Sequence, residues 1–121
     1  MKYLLMAYTG GEWADIDVTS PEFQAMCEFY ESLTAELTAS GELVVTEGLA
    51  DPALSRTLRK GAGGAEVVDG PFAESKEIMA SFAIVDVVDH ERAMQIATRI
   101  VDAVGDTIEV RPIMQGPPAD L

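Results

Sequence analysis

Two stripes of apolar residues at helical spacing, each closed by a glycine and flanked by short apolar runs, constrain the fold of this chain more than any other feature. In the first, Phe23, Met26, Cys27, Tyr30, Leu33 and Leu37 recur at three- and four-residue steps, and Gly41 stands where a left-handed terminator belongs. Thr19-Ser20-Pro21-Glu22 opens that helix: either hydroxyl can cap it, and Thr19 with Glu22 has the capping-box spacing. In the second, Asp89 can cap a helix whose Ala93, Ile96, Ala97, Ile100 and Val104 repeat the period before Gly105 ends it. Glu28, Glu31 and Glu36 lie off the first stripe and read as a solvated face.

The runs around the helices are too short to be helices themselves. Residues 2–8, bounded by Gly10-Gly11, read as a largely buried first strand, and 43–46 as a second strand closed by a turn over 47–52. Thr57-Leu58-Arg59 and Glu66-Val67-Val68 flank Lys60-Gly61-Ala62-Gly63-Gly64 as a hairpin with a flexible tip. That glycine run lacks the GxxxxGK[ST] order and the strand-loop-helix setting of a phosphate loop, so it reads as a turn. Residues 81–88 form a central strand and 108–114 the last, where Pro112 favours an edge or a bulge because it cannot donate a ladder bond.

The order strand, helix, strand, small hairpin, strand, helix, strand predicts an α+β domain of the ferredoxin-like βαββαβ class, with two helices on one face of a four-stranded antiparallel sheet. The domain is expected to span 1–114, with 115–121 as a tail. Strands 3–8, 81–88 and 108–114 carry apolar residues on both faces, and with no further helix to cover the second face, a second copy is the simplest cover. The expectation is a homodimer with facing sheets.

Charge narrows the partners. Eight Lys and Arg stand against 21 Asp and Glu, a formal charge of −13, which repels nucleic-acid backbones and anionic lipid, so neither is an expected partner. The apolar opening is too short for a signal-peptide core or a membrane span, and the expectation is a soluble cytoplasmic protein. Cys27 is the lone cysteine, among Glu22, Glu28 and Glu31, and reads as a small buried hydrophobe rather than a reactive thiol. One His and one Cys leave no conventional protein-only zinc site, and no metal or cofactor is expected, although ligand count alone leaves an all-carboxylate Mg²⁺ or Ca²⁺ site open.

Asp69-Gly70-Pro71-Phe72-Ala73-Glu74-Ser75-Lys76-Glu77 concentrates a turn signal, an aromatic, three carboxylates and one of the eight basic residues. Asp69 can accept turn amide bonds, Pro71 restricts the loop, Phe72 can anchor it on the core, and Lys76 can pair with Asp69 or a neighbouring carboxylate. The segment reads either as a stiff structural connection or as a loop that holds charges for a site.

That string, with the opening Met1-Lys2-Tyr3-Leu4-Leu5-Met6 and the ending Glu109-Val110-Arg111-Pro112-Ile113-Met114, resembles the YCII-related, DGPF-domain family over residues 1–114. The resemblance implies a dimeric α+β barrel of the ferredoxin-like class, bacterial and cytoplasmic, with a largely unassigned biochemical function. It also implies a regulatory setting, since some relatives are encoded near or fused to extracytoplasmic-function sigma factors. Related YCII proteins outside the DGPF branch are proposed to use a His and Asp pair. That His would lie near Tyr30; this chain has no His there, and its single His90 stands beside the second helix cap. Tyrosine, with an ordinary pKa of about 10, is a poor general base at neutral pH. Family members also often carry Gly-Gly where this chain has Ala80-Ser81.

Three readings follow. The first is a small-molecule-binding or regulatory homodimer in which Phe72, Lys76 and Arg111 gather with Asp69 around a ligand, the two cations attracting a carboxylate. The second is an enzyme acting on a small polar or aromatic metabolite, with Asp69 or Glu74 moving the proton, Tyr30 donating a hydrogen bond, and Arg111 or Lys76 stabilising charge. The third is a protein-interaction module whose acidity favours a basic partner.

Overall fold

Local signals set both ends of both helices. The first, α1 (Pro21–Ala39), starts with Pro21 in its first turn and with Ser20 as its cap, whose hydroxyl accepts from the Phe23 amide at 3.1 Å. Thr19 has the capping-box spacing but turns the other way, its amide and hydroxyl both donating to Asp17. At the far end Gly41, at φ +80°, donates to the Thr38 carbonyl while Glu42 donates to that of Leu37, the paired bonds of a Schellman stop. The second helix, α2 (His90–Val104), has Asp89 accepting from the Arg92 amide at 2.8 Å and ends at Gly105, whose φ of +88° suits a residue without a side chain.

The structure, a computed structural model, describes residues 1–10, 16–72 and 77–116, with Glu77 through its backbone only. Six strands accompany the helices among these residues: β1 (Lys2–Gly10), β2 (Leu43–Gly48), β3 (Arg56–Gly61), β4 (Gly64–Asp69), β5 (Glu77–Asp86) and β6 (Thr107–Pro112). The main sheet runs β2-β5-β1-β6, and its three strand pairs are all antiparallel. As expected, β1 and β5 are central and the Pro112 strand lies at an edge. β5 starts earlier than the expected 81–88 and also stops earlier, where Val87 leaves the ladder to donate its amide to the Met1 carbonyl. β3 and β4 form a separate two-stranded sheet joined by a two-residue turn at Ala62-Gly63.

The sheet register sorts side chains by face. Tyr3 opposite Val85 and Leu5 opposite Ala83 and Val110 lie on the helix side, where they join Leu33 and Leu37 of α1 and Ala93, Ile96 and Ile100 of α2 in one core. Leu4 opposite Ile84, Met6 opposite Phe82, and Tyr8 lie on the other side, joined by Val45 of β2. Two bulges interrupt the ladders: Ala80 is the extra residue where β5 passes Ala7 and Tyr8, and Val44 the extra residue where β2 passes Val85 and Ile84.

The first helical stripe is rotated from its expected position. Leu33 and Leu37 are buried, with Phe29 and Tyr30 packed beside them, but Cys27 is exposed, not the buried hydrophobe the spacing suggests. At about 100° per residue, Cys27 falls past Phe23 on the outer flank, and Phe29 fills the opposite flank instead. No helix among the described residues is long and apolar enough to cross a membrane.

Two ion pairs tie the helical layer together. Glu36 of α1 meets Arg99 of α2, and Glu42, just past the Gly41 stop, holds Arg92 through two bonds of 2.8 and 2.9 Å. The Arg92 bonds and a 2.8 Å bond from the Ser40 hydroxyl depress the Glu42 carboxyl to about 2. A depressed carboxyl stabilises the fold above its unfolded pKa and loses that contribution as pH falls toward its folded one. Glu42→Gln should therefore cost on the order of 1 kcal/mol at pH 7, screening by solvent keeping it below a buried pair. The deficit in denaturant unfolding should shrink between pH 4.5 and about 2; a deficit independent of pH would contradict this role.

Candidate functional site

The antiparallel sheet brings one end of every main element together. The last residues of β1 and β2, the first of β5 and β6, the start of α1 and the end of α2 meet there. A cavity of about 410 Å³ opens at this end, within the usual range for small-molecule sites. Phe23, Met26 and Tyr30, at three- and four-residue steps on α1, form one wall; Gly48, Leu49, Ala80 and Ser81 form the sheet side; Ile16, Thr9, Val104 and Asp106 complete it.

Backbone irregularities shape this wall. The Ala80 bulge takes that residue out of register with β1, and its carbonyl accepts the Leu49 amide at 2.8 Å, carrying the β2–β5 contact one residue beyond the strand. Gly105 turns the chain sharply out of α2, so that Asp106 stands at the cavity. A second hollow of about 360 Å³ adjoins the first, sharing Tyr30, Gly48 and Ser81 with it and adding Glu31, Thr34, Thr46 and Glu47. Tyr30 therefore stands where the two meet.

Asp106 and Tyr30 give the cavity its chemistry. Burial raises the Asp106 pKa above its ordinary value, and a hydrogen bond with Thr9 opposes the rise. Burial also raises the Tyr30 pKa, with the negative charge of Asp106 adding to it. The pair provides a phenol donor and a carboxyl that holds a proton more readily than an exposed one. Apolar side chains dominate the rest, and the described lining residues include no lysine or arginine. Among the described residues no group of three or more His, Cys, Asp or Glu side chains is placed to hold a metal.

The residues singled out from sequence are dispersed. Tyr30 lies in the cavity. Asp69 ends β4, largely exposed, and pairs with Arg56 at 2.6 Å. Phe72 is 81% exposed, so it does not anchor its loop on the core of this chain. Arg111 sits on edge strand β6 opposite Leu4, paired with Glu109 at 3.2 Å. No described contact joins Asp69, Phe72 and Arg111; Glu74 and Lys76 lie outside the described residues. Ala80 and Ser81, which stand where the resembled family often has Gly-Gly, both line the cavity. Sequence reading passed over Asp106, although one signal was present: a carboxylate just past a helix C-terminus opposes the helix dipole.

A family model described as the YCII-related domain matches residues 1–116. An uncharacterized protein of Rhizobium meliloti (strain 1021) is 29% identical over 127 residues, covering all of this chain and 98% of its own length.

Because a raised pKa favours the protonated acid in the fold, its contribution is fully present below the unfolded pKa and lost as pH rises through the folded one. Asp106→Asn should therefore melt above wild type at pH 7, by roughly 2–5 °C, and the gap should close below about pH 4. Thermal unfolding at pH 7 and pH 3.5 checks this; a lower melting point at pH 7 would contradict it.

Proposed function

The chain belongs to the YCII-related domain family, and from that premise we propose that it is a homodimer binding a small, largely apolar molecule whose polar group faces Tyr30 and Asp106. The observation that carries this reading is the pairing of those two groups, both shifted by burial, inside a mainly apolar cavity. Desolvating a carboxyl is unfavourable for the fold, and a carboxyl held at a cavity wall despite that cost is the pattern of a site. The lining favours an uncharged or cationic polar group over a carboxylate, which would meet Asp106 with no described cation to offset it.

The strand order β2-β5-β1-β6, with both helices packed on one face, supports a ferredoxin-like sandwich. The half-buried Leu4, Tyr8, Val45, Phe82 and Ile84 on the opposite face support covering it with the same face of a second copy, as a dimeric α+β barrel does. In the enzyme form of this reading Tyr30 donates a hydrogen bond to the bound compound and a carboxyl moves its proton. Asp106 is the carboxyl placed for that step, with Asp69 and Glu74 as the other candidates from the sequence.

Simple aromatic probes test the site. By ligand-observed NMR at pH 8, phenol and benzylamine should bind and benzoate should not; Tyr30→Phe should weaken phenol, and Asp106→Asn should weaken benzylamine, each by about tenfold. Benzoate binding as well as benzylamine, or binding indifferent to both substitutions, would contradict the proposal.

A further inference from the structure

The cavity at the open end of the sheet continues past Tyr30. Its floor crosses the ends of all four strands, from Asp106 beside β6, through Thr9 of β1 and Ser81 of β5, to Gly48 of β2. Three strand spacings make that floor about 14 Å long. The adjoining hollow carries it beyond Gly48 into the crevice between α1 and edge strand β2, where Thr34 and Thr46 stand on opposite walls. Phe23, Met26, Tyr30 and Thr34 follow one another at three- and four-residue steps, so a single stripe of α1 lines both hollows. One aromatic ring fills only part of that length.

Gly48 keeps the way between the hollows open. The register sets it opposite Ser81, and Ser81 opposite Ala7, on the helix side of the sheet with Tyr3 and Leu5. A Cβ at Gly48 would have no atom within 4 Å beyond its own chain neighbours, and its backbone is not left-handed. Local conformation therefore does not call for glycine here, and a β-branched residue would suit the strand better. Glycine in a strand also marks places where a ligand comes close to the backbone. The polar groups along the path are available to such a ligand: among the described residues, the hydroxyls of Tyr30, Ser81 and Thr34 have no hydrogen-bond partner within the chain. That of Thr46 donates to the Phe82 carbonyl at 3.2 Å.

We infer that the two hollows form one elongated site whose ligand is a long, mainly apolar molecule with a polar group at each end, one meeting Asp106 and the other, a hydroxyl, meeting Thr34 and Ser81. Gly48 is the residue that sets this length, because any larger side chain there fills the passage under Tyr30. Glu31 lines the far hollow, which holds no described lysine or arginine, so a carboxylate at that end is disfavoured. The inference rests on the ligand site proposed above and extends it; it does not depend on the second copy, since the path lies on the helix side of the sheet.

Two probes of different length test it, benzylamine and 4-(3-hydroxypropyl)benzylamine, titrated at pH 8 into the full chain by ligand-observed NMR. The quantity read is the ratio of their dissociation constants, which a general loss of folded protein does not move. In wild type the longer probe should bind about tenfold more tightly, since its chain buries three further methylenes. Gly48→Val closes the passage and should bring the ratio to about one. Thr34→Val, on the surface of α1, leaves the passage open but removes the hydroxyl, and should cut the ratio about threefold. A wild-type ratio of about one, with benzylamine binding still weakened by Asp106→Asn, overturns the elongated site and leaves the shorter one standing. A ratio that stays at its wild-type value in either variant overturns it equally. If neither probe binds wild type, the elongated site and the ligand site it extends fall together.

Discussion

The central strand of this fold is apolar on both sides, and the rest of the architecture answers that fact. Tyr3 and Leu5 point to the helices and are 2% exposed, whereas Leu4, Met6 and Tyr8 point the other way. Two helices cover one sheet face, and burying a side chain of this kind contributes about 1.5–3 kcal/mol, so a bare second face forgoes a large contribution for a chain of this size. The neighbouring strands follow the same alternation, with Phe82 and Ile84 on β5 and Val45 on β2 extending the uncovered patch. In the proposed homodimer, a second copy of the sheet covers the half-buried ones among these residues.

The same strand leads to the cavity. Thr9 lies one residue from the end of β1, beside the bulge that takes Ala80 out of register, and the Gly105 turn sets Asp106 across from Tyr30. The irregularities of the sheet therefore gather where the ladder opens, as bulges tend to do beside functional sites. The core farther down the sheet, with Val85 and Ile96 fully buried, is regular by comparison. The two helices are tied by Glu36 to Arg99 and, at the end away from that opening, by Glu42 to Arg92.

Much of the fold was legible because local rules acted without competition. Ser20, Pro21, Gly41, Asp89 and Gly105 each do what their chemistry favours at a helix end, and the helices stop within a residue or two of those signals. The hairpin turn and the edge position of Pro112 follow from backbone chemistry in the same way. What escaped depends on tertiary contact. Cys27 has the right spacing for the core yet lies outside the arc that α1 presents, a rotation set by the packing of Phe29 and Tyr30. Phe72 has an anchor's size but meets no core in its own chain. Asp106 is one carboxylate among 21 acidic residues, and only the folded chain brings it to Tyr30. The cluster expected around Asp69 rested on proximity along the sequence, while the sheet registers place Asp69 and Arg111 in different sheets.

The most direct test of the second sheet layer is isotope-filtered NMR on a mixed sample of labelled and unlabelled protein, which reports only contacts between copies. The account requires cross-copy contacts to the methyl groups of Leu4, Val45 and Ile84, half-buried side chains that register places on the uncovered face. Cross-copy contacts confined to other surfaces, or none from a sample at millimolar concentration, would contradict it.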